Sequence, residues 1–241
     1  MSQPADGWYP ARNYLLAALP PEEYTELLPR LEIVLPRFKE VLYEPNESIQ
    51  YVYFPINGVI SLVITMANGT MAEIATVGNE GMVGLPVFLE AVSFPGRALS
   101  QIPGNTFRLK AEVFNEIVGR SSAFQRVLHR YTQALFTQVA QSAACNRFHP
   151  IEKRCARWLL MTYDRVGSDE FRLTQEFLAQ MLSVRRASVS EAAAMLQQTG
   201  LIRYNRGNIS VADRAGLQAA SCECYETVRR EFSRLIGTTR S

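Results

Sequence analysis

The sequence predicts an α+β fold in two unlike parts, antiparallel strands first and helices after, with one long helix between them. Three observations carry this. From about residue 38 to Gly104, β-rich runs are broken at short intervals by Gly and Pro. The stretch 121–144, "SSAFQRVLHRYTQALFTQVAQSAA", holds no Gly or Pro. Beyond it, apolar residues recur at helical spacing until two short strand-like runs flank Arg206-Gly207-Asn208.

Residues 15–31, "LLAALPPEEYTELLPRL", read as short helical pieces. Pro20-Pro21 opens the second, because the first helical N–H has no partner to lose. Glu22 and Glu23 then fall in its first turn, where the helix dipole favours negative charge. In "YVYFPINGVISLVITMANGTMAEIATV" the pairs Asn57-Gly58 and Asn68-Gly69 punctuate the strands. The second lies between two strand-like runs and signals a hairpin. Ile60, Leu62, Ile64 and Met66 share one face of the first run, with Ser61 and Thr65 on the other. This pattern predicts an antiparallel β-roll, or jelly roll.

In the long helix, Phe124, Leu128, Tyr131 and Leu135 are spaced four, three, four, which is a coiled-coil seam. Val127, Ala134 and Val139 add apolar surface. The helix is expected to pack on its own domain and, through the four seam residues, on a second copy. "CNRFHPIEKRC" ends it, since the residue before Pro150 is biased away from helix. The expected domains are 1–118, a sensor-like roll; 119–147, a dimerisation helix and hinge; and 148–241, a helical module.

That module opens with the helix "IEKRCARWLLMTYDRV". Thr174 can cap a further helix beginning Gln175-Glu176, with Leu173, Phe177, Leu178 and Met181 buried. Ser183 stands at a turn. A second helix runs from about Arg185 to Thr199, packing Val189, Ala192, Ala193 and Leu196 inward, and Gly200 closes it. "LIRYNRGNISVAD" then forms a hairpin, and a last helix spans about 214–236. Two helices, a short turn and a hairpin make a winged helix-turn-helix. Such a helix needs a slim front and donors in its first turns to reach base edges in the major groove. "MLSVRRASVSEAAAML" has both.

Charge agrees. Residues 1–146 carry 10 Lys/Arg and 13 Asp/Glu, a net −3, while residues 147–241 carry 15 and 10, a net +5. A polyanion would therefore meet the back half. No run of 18 apolar residues suggests a membrane span, and the N-terminus lacks a signal peptide's pattern, so a cytoplasmic protein is expected. The four cysteines, 145, 155, 222 and 224, are expected to be buried apolar residues rather than disulfides. Cys222-x-Cys224 has no second ligand pair nearby in the sequence, so no metal site is expected, and the role of this pair is left open.

From about residue 13 to 236 the chain resembles the Crp/Fnr family of bacterial transcription regulators, most specifically at "LTQEFLAQMLSVRRASVSEAAAMLQQTGLI". The resemblance implies a cyclic-nucleotide-binding-like β-roll, a long dimerisation helix and a winged helix-turn-helix on double-stranded DNA. It also implies a palindromic operator, a homodimer and, for an activator, contact with RNA polymerase. The family's guanine-reading arginine carries over to Arg186 and the following threonine to Ser188. The family's glutamate is replaced by Ala187 and its later arginine by Glu191. The candidate DNA contacts are Thr174, Gln175, Gln180, Arg185, Arg186, Ser188, Ser190, Glu191, Arg203 and Arg206.

The Gly-rich loop "VGNEGMVGLPVFL" is neither a Walker A loop nor a dinucleotide fingerprint. In the family this place grips a cyclic nucleotide. Gly84 matches the family's glycine, Leu85 stands where its glutamate belongs, and Arg97-Ala98 match its second pair. Val139 and Ala140 stand where polar groups meet the base. The resemblance thus implies an effector pocket at Gly84, Leu85, Arg97 and Ala98 but argues against cyclic AMP. No cofactor is identified: the first Cys is 145, against an iron–sulfur version, and His129 is a bare candidate for haem. The competing readings are a small-molecule module whose basic tail binds an acidic protein, and an enzyme using Glu73 or Glu80. No catalytic constellation supports the latter.

Overall fold

The computed structural model describes residues 13–205 and 207–237. Asn13 is the first described residue. Its side chain caps α1 (Tyr14–Ala17) by accepting from the Leu16 amide, and donates to the carbonyls of Pro55 and Gly81 at 2.9 and 2.8 Å. Helix α2 (Pro21–Leu27) opens on its proline with Glu22 and Glu23 in the first turn, as the sequence predicts.

The roll is two antiparallel sheets. One has the order β2 (Val41–Tyr43), β6 (Arg97–Ile102), β4 (Val59–Thr65), β5 (Met71–Val77); the other has β1 (Glu32–Val34), β7 (Thr106–Lys110), β3 (Tyr51–Pro55). Asn68-Gly69 does turn the β4–β5 hairpin. The Gly69 amide donates to the Met66 carbonyl, Met66 and Thr70 pair, and only Gly69 takes positive φ. This is the three-residue loop that ends in a left-handed glycine. Asn57-Gly58 instead carries the chain from one sheet to the other. There Gly58 and Gly104 approach so closely that a Cβ on Gly104 would collide with the Gly58 nitrogen.

Strand β4 is buried on both faces. Ile60 and Leu62 fill the roll, while Val59 and Val63 pack with Leu99 and Ile102 against helix α6 (Ile151–Val166). Met66, expected beside Ile60, is 58% exposed because it already belongs to the turn. The register between β4 and β5 slips at Ile74, so that Val63 faces Glu73 rather than Ile74. That bulge turns the Glu73 side chain to the α6 side.

Helix α4 (Ala111–Arg120) leads to α5 (Ser122–Phe148), capped by Ser121. The structure corrects the predicted seam. Phe124, Leu128, Tyr131 and Leu135 are all 8% exposed or less and lie in the chain's own core with Phe54, Phe114 and Met82. The periodicity is real, but the face it marks packs on the roll. Past Pro150, α6 is followed by β8 (Glu170–Arg172), α7 (Gln175–Leu182), α8 (Arg186–Gln198), β9 (Ile202–Asn205) and β10 (Asn208–Val211). The expected hairpin is two strands of a three-stranded sheet, in the order β8-β10-β9. The last helix is two, α9 (Arg214–Ala220) and α10 (Glu223–Ile236), broken at Ser221-Cys222. Helix α10 folds back along α5 and adds Val228, Phe232 and Ile236 to the core of the roll. Among the described residues no helix is long and apolar enough to cross a membrane.

The helical module is fastened to the roll by a buried ion pair. Arg165 of α6 meets Glu80 at 2.7 Å, both side chains under a tenth exposed. The guanidinium also donates to Thr76 Oγ1 at 2.5 Å, and Gln138 of α5 donates to the Thr76 carbonyl at 2.9 Å. The Gly-rich loop makes room for this. A Cβ on Gly78 would lie 2.5 Å from the Arg165 stem, and one on Gly81 would overlap the Tyr131 ring. Removing one partner of a buried pair strands the other charge at a cost of about 3–5 kcal/mol. Glu80→Ala should lower the unfolding free energy, read from denaturant titration, by that order. A loss no larger than that of an exposed Glu→Ala control would show that the pair is open to water.

Candidate nucleic-acid interface

Thr174 caps α7, its Oγ1 accepting from the Phe177 amide at 3.2 Å. The turn is made by Ser183 in the left-handed region, φ 53°. Helix α8 then buries Val189, Ala192, Ala193 and Leu196 and exposes Arg185, Arg186, Ala187 and Glu191. The first turn of α8 is therefore slim, cationic and open, as a helix entering a groove requires. Gly200 closes α8 with φ 76°. The wing is tied back to α8 and to the residue before the α7 cap: the Tyr204 amide donates to Gln197 Oε1 at 2.7 Å, and the Tyr204 hydroxyl to the Leu173 carbonyl at 3.1 Å.

The predicted contacts divide into three groups. Arg185, Arg186, Glu191 and Arg203 are exposed; Thr174, Gln175, Gln180, Ser188 and Ser190 are half-buried. Ser190 Oγ lies 2.7 Å from Gln175 Oε1, to which it donates, and 3.1 Å from the Arg186 carbonyl, so it braces α7 against α8. Arg206 lies outside the described residues.

The predicted effector residues are differently placed. Gly84 (φ 96°) caps the short helix α3 (Leu85–Phe88), and Leu85 and Ala98 are core residues. Arg97 is held by Glu44 at 3.0 Å. None of the four lines the cleft of about 800 Å³ between the Gly-rich loop, the end of α6 and α10. Several arginines border that cleft, but Arg214 is bound to Asp164, and Arg229 and Arg230 to Glu226. His129, the bare haem candidate, is exposed and stacks edge-on with Phe88 at 5.0 Å.

Glu73 joins the two halves. Its carboxyl lies 2.6 Å from Ser61 Oγ and accepts from Trp158 Nε1 at 2.7 Å. Ser61 is also within 2.7 Å of Gln101 Oε1, and Gln101 donates to Thr162 of α6 at 3.1 Å. With the amide so oriented, the single Ser61 proton cannot serve both Glu73 and Gln101. A protonated Glu73 supplies the missing donor. Desolvation pushes its carboxyl up to about 7, against the pull of Ser61, Trp158, Arg165 and Arg157.

The fold also assembles what the sequence reading kept apart. Cys145 and His149, at the end of α5, meet Cys222 and Cys224, at the start of α10, and the four ligand atoms all lie within 4.8 Å of one another. Cys222 and Cys224 were expected to be apolar filler with no second pair near. The second pair lies 77 residues upstream, and the break at Ser221-Cys222 turns the chain back to it. A thiol hydrogen bond from Cys222, with Arg157 beside it, pulls the Cys145 thiol below its ordinary value.

Residues 153–220 match the family of Crp-like helix-turn-helix domains. A search of the curated proteins gave no significant match. Among solved structures, FixK2 from Bradyrhizobium japonicum is similar with a TM-score of 0.68 at 18% identity, over 80% of this chain and 98% of that one. A CRP-family transcriptional regulator from Thermus thermophilus gives 0.65 at 19%, over 79% and 96%. A Crp/Fnr-family regulator from Eubacterium rectale gives 0.64 at 18%, over 86% and 98%. Fold and site together define a two-part chain, a β-roll joined to a winged helix-turn-helix. The chain carries a Crp-like helix-turn-helix domain within the fold of the Crp/Fnr regulators.

The Glu73 contact carries a pH dependence. A carboxyl raised in the folded state contributes stability that is complete below the unfolded value of 4.5 and is lost as pH rises through about 7. Unfolding midpoints, read by far-ultraviolet circular dichroism, should fall across that window. Glu73→Gln should flatten the profile and be the more stable protein above its upper end. Identical profiles for the two proteins would refute the assignment.

Proposed function

We propose that this chain is a dimeric, sequence-specific DNA-binding transcription regulator whose β-roll senses an effector. The observation that supports this best is the open first turn of α8, with Arg185 and Arg186 beside Ala187, inside a module that matches the Crp-like domain. Arg186 reads a guanine through O6 and N7, and Ser188 stands one turn position further in. Arg203, on the wing, meets phosphate. The operator is double-stranded and palindromic because the reader is a two-fold dimer. Cyclic AMP is a poor effector for this roll. Arg97 is engaged by Glu44, Leu85 offers a ribose hydroxyl no acceptor, and Glu80 is committed to Arg165. RNA polymerase is a partner if the protein activates.

The second copy docks on the outer face of α5. There Arg126, His129, Gln133, Phe136, Ala140 and Ala143 recur at spacings of three and four, all exposed, with His129 also against Phe88 of α3 and Phe136 67% exposed. This face keeps the coiled-coil spacing of the inner one.

Two outcomes test the reading. Arg186→Ala should cost about 1–3 kcal/mol on a selected site and relax preference at one base pair, whereas Arg203→Ala should weaken all duplexes alike. Equal losses from both variants on specific and random DNA would reject these roles. Phe136→Asp with Ala140→Asp should sediment as a folded monomer and lose operator binding, while Leu128→Asp should unfold the roll. A Phe136/Ala140 variant that remains dimeric would place the interface elsewhere.

A further inference from the structure

We propose that Cys145, His149, Cys222 and Cys224 bind one zinc ion in a closed tetrahedral site that clasps the end of α5 to the start of α10. The ligand set comes from two short segments. Cys145 and His149 are four apart at a helix end, which puts them on one side of it. Cys222 is the N-cap of α10, and Cys224 lies in its first turn. Zinc–sulfur bonds of about 2.3 Å at tetrahedral angles place sulfur atoms about 3.8 Å apart. Cys145 Sγ and Cys222 Sγ are 3.6 Å apart, and Cys224 Sγ and His149 Nδ1 3.5 Å. A small rearrangement therefore closes the shell.

The surroundings suit a metal centre. His149 turns Nδ1 to the thiols and Nε2 to the Glu223 carboxylate at 3.2 Å, the outer partner that fixes a ligating imidazole. Gln141 donates to Cys224 Sγ at 3.1 Å. Three thiolates and a divalent cation leave one net negative charge. The arginines of α6 stand ready for it: Arg157 is beside Cys145, and the buried Nε of both Arg154 and Arg157 have no acceptor. Soft sulfur with one imidazole selects zinc over oxygen-seeking magnesium or calcium. Four protein ligands leave no open position, so the site is structural rather than catalytic.

The test uses the full chain, purified under reducing conditions from zinc-supplemented cells. Elemental analysis should give one zinc per chain. Replacement by cobalt should give thiolate-to-cobalt charge transfer and the strong visible bands of tetrahedral coordination. Cys222→Ser and His149→Ala should each abolish or alter that spectrum, while Cys155→Ala, at a buried cysteine outside the cluster, should leave it intact. Glu223→Gln, an exposed change that leaves folding alone, should keep the spectrum but lower zinc affinity roughly 10- to 100-fold. The proposal is overturned if the reduced chain, with all four thiols titratable, takes up no zinc or cobalt. It is equally overturned if the cobalt spectrum survives loss of Cys222 and Cys224 together, or if a Cys145–Cys222 disulfide forms and metal is never bound.

Discussion

The fold turns on one buried cation. Burying a guanidinium costs several kcal/mol unless a counter-charge and hydrogen-bond acceptors meet it. Arg165 finds Glu80 and Thr76 on the roll. The α6 helix therefore has one seat. Apolar contacts between Val59, Val63 and α6 would tolerate sliding, but the ion pair does not. The loop's glycines follow from the same requirement, since Gly78 must leave room for the arginine stem and Gly81 for Tyr131. A stretch that looks built to hold phosphate is spent on holding a side chain.

Much of this was legible in the sequence. Pro20-Pro21, the Asn68-Gly69 hairpin, the Ser183 turn and the Gly200 cap are local, because each depends on the dihedral preferences of one or two residues. The helix-turn-helix was legible because its buried stripe and slim front sit in one short segment. What failed were statements about partners at a distance. Periodicity shows that Phe124, Leu128, Tyr131 and Leu135 share a face, not what that face touches, and the roll claims it. Short β8 carries no pattern of its own; it exists because β10 offers it a free edge. Glu73 reaches the interface only through a bulge at Ile74, which depends on the register of the paired strand.

The cysteines show the same limit more sharply. Cys145-x-x-x-His149 and Cys222-x-Cys224 are each ordinary alone. They become one constellation only because α10 returns along α5, and that return is driven by Val228, Phe232 and Ile236 seeking the roll's core. A helix read from sequence as a plain terminal segment closes the chain upon itself.

This closure changes the mechanics of the module between. The chain leaves the roll's side at His149-Pro150 and comes back at Ser221-Cys222, and the two crossings are neighbours in space. A body hung from a single strand can tumble in any direction. One hung from two adjacent strands behaves as a door on paired hinges, free to swing about the line joining them and stiff against twisting across it. With Arg165 out of its seat, the module would thus be left one fixed arc along which to move.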